Sequence, residues 1–566
     1  AKWLLGGYSA NGNVIGNSVN VSGGTLTGVS GGESNSGSAT GNIVSISGGT
    51  VHGNVNGGFV ASDNGKATGN IVNISGKADL SGAVVAGGSS PDGDAFTDNT
   101  LNKNSDAAVH IARNFASVNF GYSGTANIGE LDSTPTGSAL SGVTVNTNAN
   151  NVSFDGVISG SGSITKAGAG TLILSGTNTY SGGTTISAGT LSIVSDTNIG
   201  SGTNTIGTKG TLLLSGNGTY TNDWTLSGAG SAIATDNNNT LSGVLSGNGG
   251  LTKTGTGTLT LTGNNTYAGG TAINDGTLKG NIASGTDLSI ADNATYDGDN
   301  KARSVGGLNG GGKILNTDGL TVQSGDFAGF IDNSNTSLTK TGAGTLTLSG
   351  TNTYTGMTTV RSGTLALGSD LTSNQLTLYG GTVFDRGSHN HNLDNGILSV
   401  NGANSQSAMY KGDLSARNAT LNFISPVHPT QPLLRVTGDT DVSGSAYNVG
   451  LSGGTSLAAG STLTLLEVGA GKMLTANNLR KGGGIVQIGS TVAHDITTDV
   501  ALDPTTGRLN AVTAQVSPGR ATDQSKALSE GFLGGLALNL QGADLVAGRG
   551  MDSAVRASSG TDDAGR

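Results

Sequence analysis

The chain has 566 residues, of which 100 are glycine, while charged residues make up 11% and aromatic residues 4%. Average globular domains carry roughly 25% charged residues, so this composition argues against a compact enzyme with a thick aromatic core. The formal net charge of −10 gives no broad attraction to nucleic acid, and we expect no nucleic-acid partner.

Two further counts bear on the class of protein. The seven prolines are few for a disordered chain, and the apolar residues stand in short alternating runs that are typical of β-strands. Cysteine is absent, which suits a chain that crosses an oxidising compartment before it folds. No stretch is long and apolar enough to cross a bilayer as a helix, and no signal peptide opens the chain.

The N-terminal part repeats one short phrase. Residues 16–25, 41–50 and 69–76 each contain Gly-Asn, then alternating apolar residues, then Ser-Gly. The alternation predicts strands with two apolar side chains on one face, too few to fold without stacking on neighbours. We assign residues 1–125 to N-terminal β-helix coils with an irregular insertion near 84–125. The insertion is interpreted either as a projecting loop or small helix, or as an irregular coil with a long turn.

A longer repeat follows. It contains Thr-Lys-x-Gly-x-Gly-Thr-Leu, then Asn-Thr-Tyr, and its lysines Lys166, Lys253 and Lys340 are separated by 87 residues at each step. This spacing divides into four units of roughly 22 residues, within the range of solenoid repeats. Short strands between glycine turns favour a β-helix over a propeller, whose blades carry recurrent tryptophan. The fold class that we predict is therefore all-β, a parallel β-helix, with the long repeat in residues 126–370.

The tail changes character. From Ala521 onward, Leu528, Phe532, Leu536 and Leu540 stand at helical spacing, which predicts a short C-terminal helix within a linker over residues 516–566. Several glycines would weaken this helix, so we expect it to need an enclosing partner.

The motifs of common enzymes give no catalytic residue and no cofactor site. Gly-x-Ser-x-Gly occurs at residues 28–32 and 450–454, but neither copy leads into a helix as a nucleophile elbow must. Residues 307–313 resemble a phosphate-binding loop, yet Ile314 stands where Ser or Thr would bind magnesium.

Two kinds of cluster could hold a metal ion. His389 and His391 would share one face of a strand, but no further ligand pair accompanies them, and we favour a solvent-facing turn at a coil edge. Asp92 and Asp94, like the Asp-Gly-Asp at 297–299, could ligate calcium, but they lack calcium-loop spacing and we favour exposed acidic turns. We therefore predict no metal site.

The phrase Lys-x-Gly-x-Gly-Thr-Leu-x-Leu-x-Gly-x-Asn-Thr-Tyr-x-Gly resembles the passenger-associated transport repeat of type V autotransporters. The repeats cover roughly residues 160–370, and residues 434–468 resemble the pertactin-like part that follows them. The resemblance implies a right-handed β-helix, a pertactin-like or autochaperone β-helix over residues 371–515, and folding that proceeds from the C-terminal coils. It also implies that a C-terminal outer-membrane β-barrel translocator, a partner that we expect outside these residues, encloses the helix at 521–548.

The same resemblance places the protein in a Gram-negative bacterium, anchored at the outer membrane or secreted. Our leading hypothesis is a non-enzymatic adhesin or self-association protein that contacts itself on neighbouring cells, or host or matrix glycans and glycoproteins, through polar Ser, Thr and Asn edges. The alternatives are an enzyme or toxin with its activity in residues 1–125 or in a removed domain, and a stalk that binds nothing.

Overall fold

A computed structural model describes residues 2–138, 141–332, 336–402, 406–425, 431–451, 462–481, 496–502 and 509–516. Strands stack in parallel through most of these ranges and form a β-solenoid, which confirms the predicted fold class. Within the described ranges, the single helical turn is a 3₁₀ turn at Asp196–Asn198. The predicted C-terminal helix lies outside the described residues.

The chain forms two compact units. The first contains residues 1–320 and 326–332, and the second contains residues 321–325 and 333–566.

The N-terminal coils consist of short strands whose side chains alternate between the interior and the surface, as their alternating sequence predicts. The strands are β1 (Trp3–Leu5), β2 (Tyr8–Ser9), β3 (Val14–Ile15), β4 (Ser18–Leu26), β5 (Gly28–Ser30), β6 (Glu33–Ser34), β7 (Ala39–Thr40), β8 (Ile43–Val51), β9 (Asn54–Val60), β10 (Ile71–Ile74), β11 (Leu80–Ser89), β12 (Thr100–Lys103), β13 (Val109–Arg113), β14 (Ser117–Phe120), β15 (Gly124–Thr125), β16 (Ile128–Asp132), β17 (Gly142–Asn146), β18 (Val152–Phe154) and β19 (Val157–Ser159).

Residues 84–125 contain strands and turns, with no helix. Strand β11 pairs in parallel with β9 and β13, and β12 pairs in parallel with β10 and β14. The small helix that we considered for this segment is therefore wrong, because its apolar residues alternate into the stacked sheets.

A buried amide ladder joins the first coils. The backbone N–H and the side-chain amide of Asn42 both donate to Oδ1 of Asn70, at 3.0 and 3.1 Å. Asn70 donates in the same way to Oδ1 of Asn99, at 2.8 and 3.3 Å. Because buried amides are costly when unpaired, the Gly-Asn phrase fixes the register of one coil on the next.

The middle of the chain has shorter and more regular coils. Its strands are β20 (Ser163–Ala167), β21 (Thr171–Leu174), β22 (Thr184–Ile193), β23 (Asn204–Leu214), β24 (Thr219–Tyr220), β25 (Trp224–Leu226), β26 (Ser231–Ala234), β27 (Asn239–Leu241), β28 (Leu245–Ser246), β29 (Leu251–Thr254), β30 (Thr258–Leu261), β31 (Thr271–Ile273), β32 (Thr277–Gly280), β33 (Leu288–Ile290), β34 (Thr295–Asp297), β35 (Ala302–Gly310), β36 (Lys313–Leu315), β37 (Gly319–Phe327) and β38 (Phe330–Ile331).

In these coils paired residues lie 17 to 21 positions apart: Trp224 and Leu245 are 21 apart, and Thr271 and Leu288 are 17 apart. Strand β29, which carries the second repeat lysine, stacks in the column of strands that contains β21, whereas the first repeat lysine lies in β20, in a different column. The 87-residue repeat is therefore not a whole number of coils.

The described strands of the last part are β39 (Ser337–Lys340), β40 (Thr345–Leu348), β41 (Thr358–Val360), β42 (Thr364–Leu367), β43 (Gln375–Tyr379), β44 (Val383–Asp385), β45 (Ile397–Asn401), β46 (Ala408–Lys411), β47 (Leu414–Ser415), β48 (Thr420–Ser425), β49 (Leu434–Val436), β50 (Thr440–Asp441), β51 (Ala446–Leu451), β52 (Thr462–Val468), β53 (Leu474–Thr475), β54 (Arg480–Lys481), β55 (Ile496–Leu502) and β56 (Leu509–Val516). Parallel pairing gives way to antiparallel pairing at the end of this part, where β56 pairs with β52 and β55.

Candidate functional site

The structure places His391 inside the second unit rather than in a solvent-facing turn. The residue is 5% exposed, its Nδ1 lies 3.3 Å from the hydroxyl of Tyr410, and its Nε2 lies 3.0 Å from the carbonyl oxygen of Ser373. Its ring packs on Phe384 with a centroid distance of 4.8 Å. Burial lowers the pKa of His391 to about 4, so the ring is neutral near pH 7.

His389 has different surroundings. Its Nδ1 lies 4.0 Å from a carboxylate oxygen of Asp370, and its side chain is partly exposed. Both nitrogens of His391 are already occupied by protein groups, so the two imidazoles share no position for an ion. Among the residues that the structure describes, no group of three or more His, Asp or Glu side chains could hold a metal.

The acidic candidates stabilise turns. Asp92 is exposed, and the Oδ1 atom of Asp94 accepts the backbone N–H groups of Phe96 and Thr97, each at 3.0 Å. In the second cluster Asp299 lies 3.0 Å from the ammonium group of Lys279. The carboxylates of Asp94 and Asp299 are thus engaged in local contacts.

The enzyme-like phrases lack the structures that their chemistry needs. Ser30 lies in β5, is fully buried, and donates its hydroxyl to the carbonyl oxygen of Gly32 at 3.3 Å. Most of the second Gly-x-Ser-x-Gly copy lies outside the described residues. Residues 307–313 run along β35 into β36, with no helix to complete a phosphate-binding loop.

The repeat lysines, Lys166, Lys253 and Lys340, are fully buried. Each occupies an inward position that neighbouring coils fill with aliphatic side chains. Lys166 pairs with Val145 on one side and Ile186 on the other, and Lys253 pairs with Ile233 and Ile273. The lysine stem therefore continues an apolar stack, and the ammonium group must find its partners inside the solenoid.

All three ammonium groups donate to carbonyl oxygens at equivalent positions of the repeat. Nζ of Lys166 donates to the carbonyl oxygens of Ala167, Gly168 and Ala188 at 2.9, 2.8 and 3.0 Å. The matching acceptors are Thr254, Gly255 and Asp275 for Lys253, and Thr341, Gly342 and Ser362 for Lys340. Two acceptors belong to the corner that follows the lysine, and the third lies 22 residues on, in the next coil.

Burial destabilises the charged form of these lysines. It lowers the pKa of Lys166 and of Lys253 from 10.5 to about 8, and it lowers the pKa of Lys340. Lys103, outside the repeats, is buried in a similar way: its Nζ donates to the carbonyl oxygens of Ser105 and Ala107, and burial lowers its pKa to about 8. These lysines are fully buried and join neighbouring coils.

Each repeat also buries one tyrosine with a hydroxyl partner. The phenol oxygens of Tyr180, Tyr267 and Tyr354 lie 2.6, 2.7 and 2.9 Å from the side-chain oxygens of the threonines four residues on. A buried phenol needs such a partner, so the Asn-Thr-Tyr phrase has a structural role in the coil. Sequence reasoning recognised these lysines and tyrosines as repeat markers but did not predict their burial.

A shallow groove of about 400 Å³ lies in the second unit. Arg386, Asp413, Asp439 and Met473 are among its lining residues. The carboxylate of Asp413 accepts the N–H of Asp439 at 2.9 Å, and that of Asp439 accepts the N–H of Met473 at 2.9 Å. Arg386 lies 3.2 Å from Asp413. These polar groups tie successive coils together, and the groove holds no catalytic set.

A row of hydroxyl side chains follows one face of the first unit, at one residue per coil. We define the hydroxyl row as Thr144, Thr165, Thr185, Thr205, Thr225 and Ser246, which pair in register along β17, β20, β22, β23, β25 and β28. All six side chains are partly exposed. None of the six hydroxyls has a hydrogen-bond partner among the described residues.

The neighbouring positions differ in this respect. The hydroxyls of Ser187 and Ser227, on the same face, donate to the carbonyl oxygens of Lys166 and Ile206 at 2.8 and 3.2 Å. Where the six strands pair along the row they carry no outward charge, because Lys166 is turned inward, and the exposed Lys209 lies four residues beyond Thr205 in β23. The hydroxyl row is therefore an uncharged surface with free donors and acceptors.

A parallel β-solenoid built around this lysine- and tyrosine-containing repeat defines a class of secreted passenger domains. The family model described as Passenger-associated-transport-repeat matches residues 164–193, 251–279 and 338–367. These three repeats mark the chain as an autotransporter passenger domain. Such a domain belongs to a protein that is associated with the outer membrane or secreted at the surface of a Gram-negative bacterium.

Among known proteins, the chain is similar to one named Adhesin BmaC autotransporter from Brucella suis biovar 1 (strain 1330). The two are 29% identical over 243 residues, which is 40% of this chain and 6% of that protein. The chain thus matches a small part of the relative's length. No solved structure matches the chain. Among the described residues, no helix is long and apolar enough to cross a membrane.

Proposed function

We propose that this passenger domain is a non-enzymatic adhesin at the surface of a Gram-negative cell. The observation that carries the proposal is the hydroxyl row, because its free donors and acceptors recur at the same position on six successive coils. Many weak, repeated contacts add up to firm attachment when they act together. The name of the relative, an autotransporter adhesin, supports the same role.

The experiment measures attachment directly. Beads coated with the folded chain are passed over mucin, matrix glycoproteins and intact cells under flow, and the retained fraction is compared with that of beads coated with albumin or with the heat-unfolded chain. We expect the folded chain to retain beads on at least one surface. Retention equal to that of the albumin beads on every surface contradicts the proposal and favours the stalk that binds nothing.

Self-association between cells is a second form of the same role. Each hydroxyl of the row can both donate and accept a hydrogen bond, so two copies can pair through the row. Sedimentation velocity over a concentration series tests this form, because a self-associating chain gives a larger sedimenting species as concentration rises. A monomer at every concentration leaves heterologous adhesion as the proposal.

The enzyme or toxin alternative requires a reactive group at the surface. Ser30 in the N-terminal part is fully buried, and the repeat lysines each have three carbonyl partners. These contacts favour the adhesin over chemistry at those residues. Hydrolysis of peptide, ester or glycoside substrates by the purified chain would support the alternative.

A further inference from the structure

The hydroxyl row has a fixed repeat. Its residues pair in register on adjacent strands, and adjacent strands lie about 4.8 Å apart, so the six hydroxyls extend over roughly 24 Å. A ligand that uses the whole row must present polar groups at a similar interval. An extended polysaccharide of β-linked six-membered sugar rings does so, because each ring advances the chain by a length close to the spacing of the coils.

The chemistry of the row also limits the ligand. A threonine hydroxyl donates one hydrogen bond and accepts others, as the hydroxyls of a sugar do, and the threonine methyl group can pack on the apolar face of a ring. The nearby Ser187 and Ser227 hydroxyls are already bonded to backbone carbonyls, so the free capacity of this face lies in the row itself.

The charges near the hydroxyl row favour a neutral polymer over an anionic one as the ligand. The six strands of the row present one cation outward, Lys209, which lies four residues from Thr205, and the chain has a net charge of −10. A sulfated or uronic-acid polymer lying along the row would meet no Lys or Arg repeated from coil to coil, and recognition of its regularly spaced anions would need them. A neutral polymer avoids this cost.

We propose that the hydroxyl row binds an extended, neutral, β-linked polysaccharide, with one sugar ring against each coil. The inference rests on the proposed adhesin function and names the ligand class of that surface.

The row differs from the threonines of a second column of strands in the first unit. Thr240 and Thr260 also pair in register and are partly exposed, but the next residue in their row is Lys279, which forms an ion pair with Asp299. That row is short and ends at a charge. Thr260 therefore serves as a matched control, because it has the same side chain and a similar exposure outside the hydroxyl row.

The test uses the full chain and soluble oligosaccharides of increasing length. Isothermal titration calorimetry with cellobiose, cellotetraose and cellohexaose, and with chitohexaose, should show affinity that rises with length, since longer chains contact more of the row. Thr185→Val combined with Thr205→Val should weaken hexasaccharide binding by roughly tenfold, since two hydrogen bonds are lost. Thr260→Val should leave the affinity unchanged, and thermal unfolding should show that all variants remain folded.

The outcomes separate this inference from the proposed function. If the chain attaches to surfaces but neither hexasaccharide binds, or binding shows no length dependence, the ligand class is wrong and the adhesin function stands. Unchanged affinity in the double variant, or preferential binding of heparin, also overturns the inference. If the double variant changes sedimentation and leaves sugar binding unaltered, the row is a contact between copies of the chain. Failure of attachment in every assay removes the adhesin function itself.

Discussion

Replacing the buried lysine of the second repeat isolates the contribution of its ammonium group. Lys253→Met keeps an unbranched side chain between Ile233 and Ile273 and removes the donor to three carbonyl oxygens. Each carbonyl left unpaired inside the solenoid costs about 1 to 3 kcal/mol. The fall in the pKa of Lys253 from 10.5 to about 8 means that removing the charge recovers roughly 3 kcal/mol. We expect a net loss of about 3 kcal/mol, as an order of magnitude.

The assay must measure the stability of individual coils, because the coils of a solenoid contact only their immediate neighbours and need not unfold together. Hydrogen exchange read by mass spectrometry should show lost protection in β29, which carries the lysine, and in β31, which pairs with β29. Strands at the N-terminus, such as β8 and β10, should keep wild-type exchange.

The matched control is Lys209→Met, since Lys209 is an exposed lysine of the same unit. Its effect should stay below about 0.5 kcal/mol. Wild-type or greater protection in Lys253→Met would refute the reasoning, because the contacts of the ammonium would then be worth less than the cost of burying it.

Three other predictions concern buried groups and tight corners of the first unit. Because the buried lysines have a folded pKa near 8 and an unfolded pKa of 10.5, the folded chain holds fewer protons between these values. The urea midpoint of unfolding should therefore rise with pH above about 8. Above about pH 10 the trend should reverse, because burial raises the pKa of the buried tyrosines, and the unfolded chain then loses their protons first. A midpoint that does not change with pH would contradict this prediction. Gly276→Ala should destabilise its coil by roughly 3 kcal/mol, measured by hydrogen exchange. The φ angle of Gly276 is +63°, and a Cβ there would lie 2.5 Å from the carbonyl oxygen of Gly257. The control is Gly218→Ala at an open position, and a larger loss of stability in the control would count against the prediction. Asn70→Ala should cost about 2 to 3 kcal/mol and deprotect β8 and β12, since it breaks the buried amide ladder, whereas the part-exposed Asn73→Ala should cost less.

The strand periodicity of the sequence was sufficient to predict the fold. Alternation of apolar and polar residues puts one set of side chains inward, and units too small to fold alone must stack, so a parallel solenoid follows from the repeats. The number of residues per coil was harder to predict from the sequence. The prediction of about 22 residues assumed that 87 residues are a whole number of coils. In the structure paired residues are 17 to 21 apart, and the first two repeats begin in different columns of strands.

The histidines show why the candidate site was harder to predict. His389 and His391 would share a face only if the chain were extended through them, but Gly387 has φ +56° and a bend follows it at residue 389. His391 then pairs with Leu371 as an isolated bridge and turns inward. A local turn, which depends on contacts with the neighbouring coil, overrode the two-residue period.

The lysine and the glycines of the repeat act as one unit. Gly255 and Gly276 both have positive φ, and they lie at the corners of successive coils. The carbonyl oxygens that Lys253 binds belong to Thr254, Gly255 and Asp275, so each glycine is at or beside an acceptor. The carbonyl groups at these two corners point into the solenoid and need a hydrogen-bond donor there. One ammonium group donates to the carbonyl oxygens of both corners. The Lys-x-Gly and Gly-Thr-Leu phrases recur together because neither the inward carbonyls nor the buried charge is stable without the other.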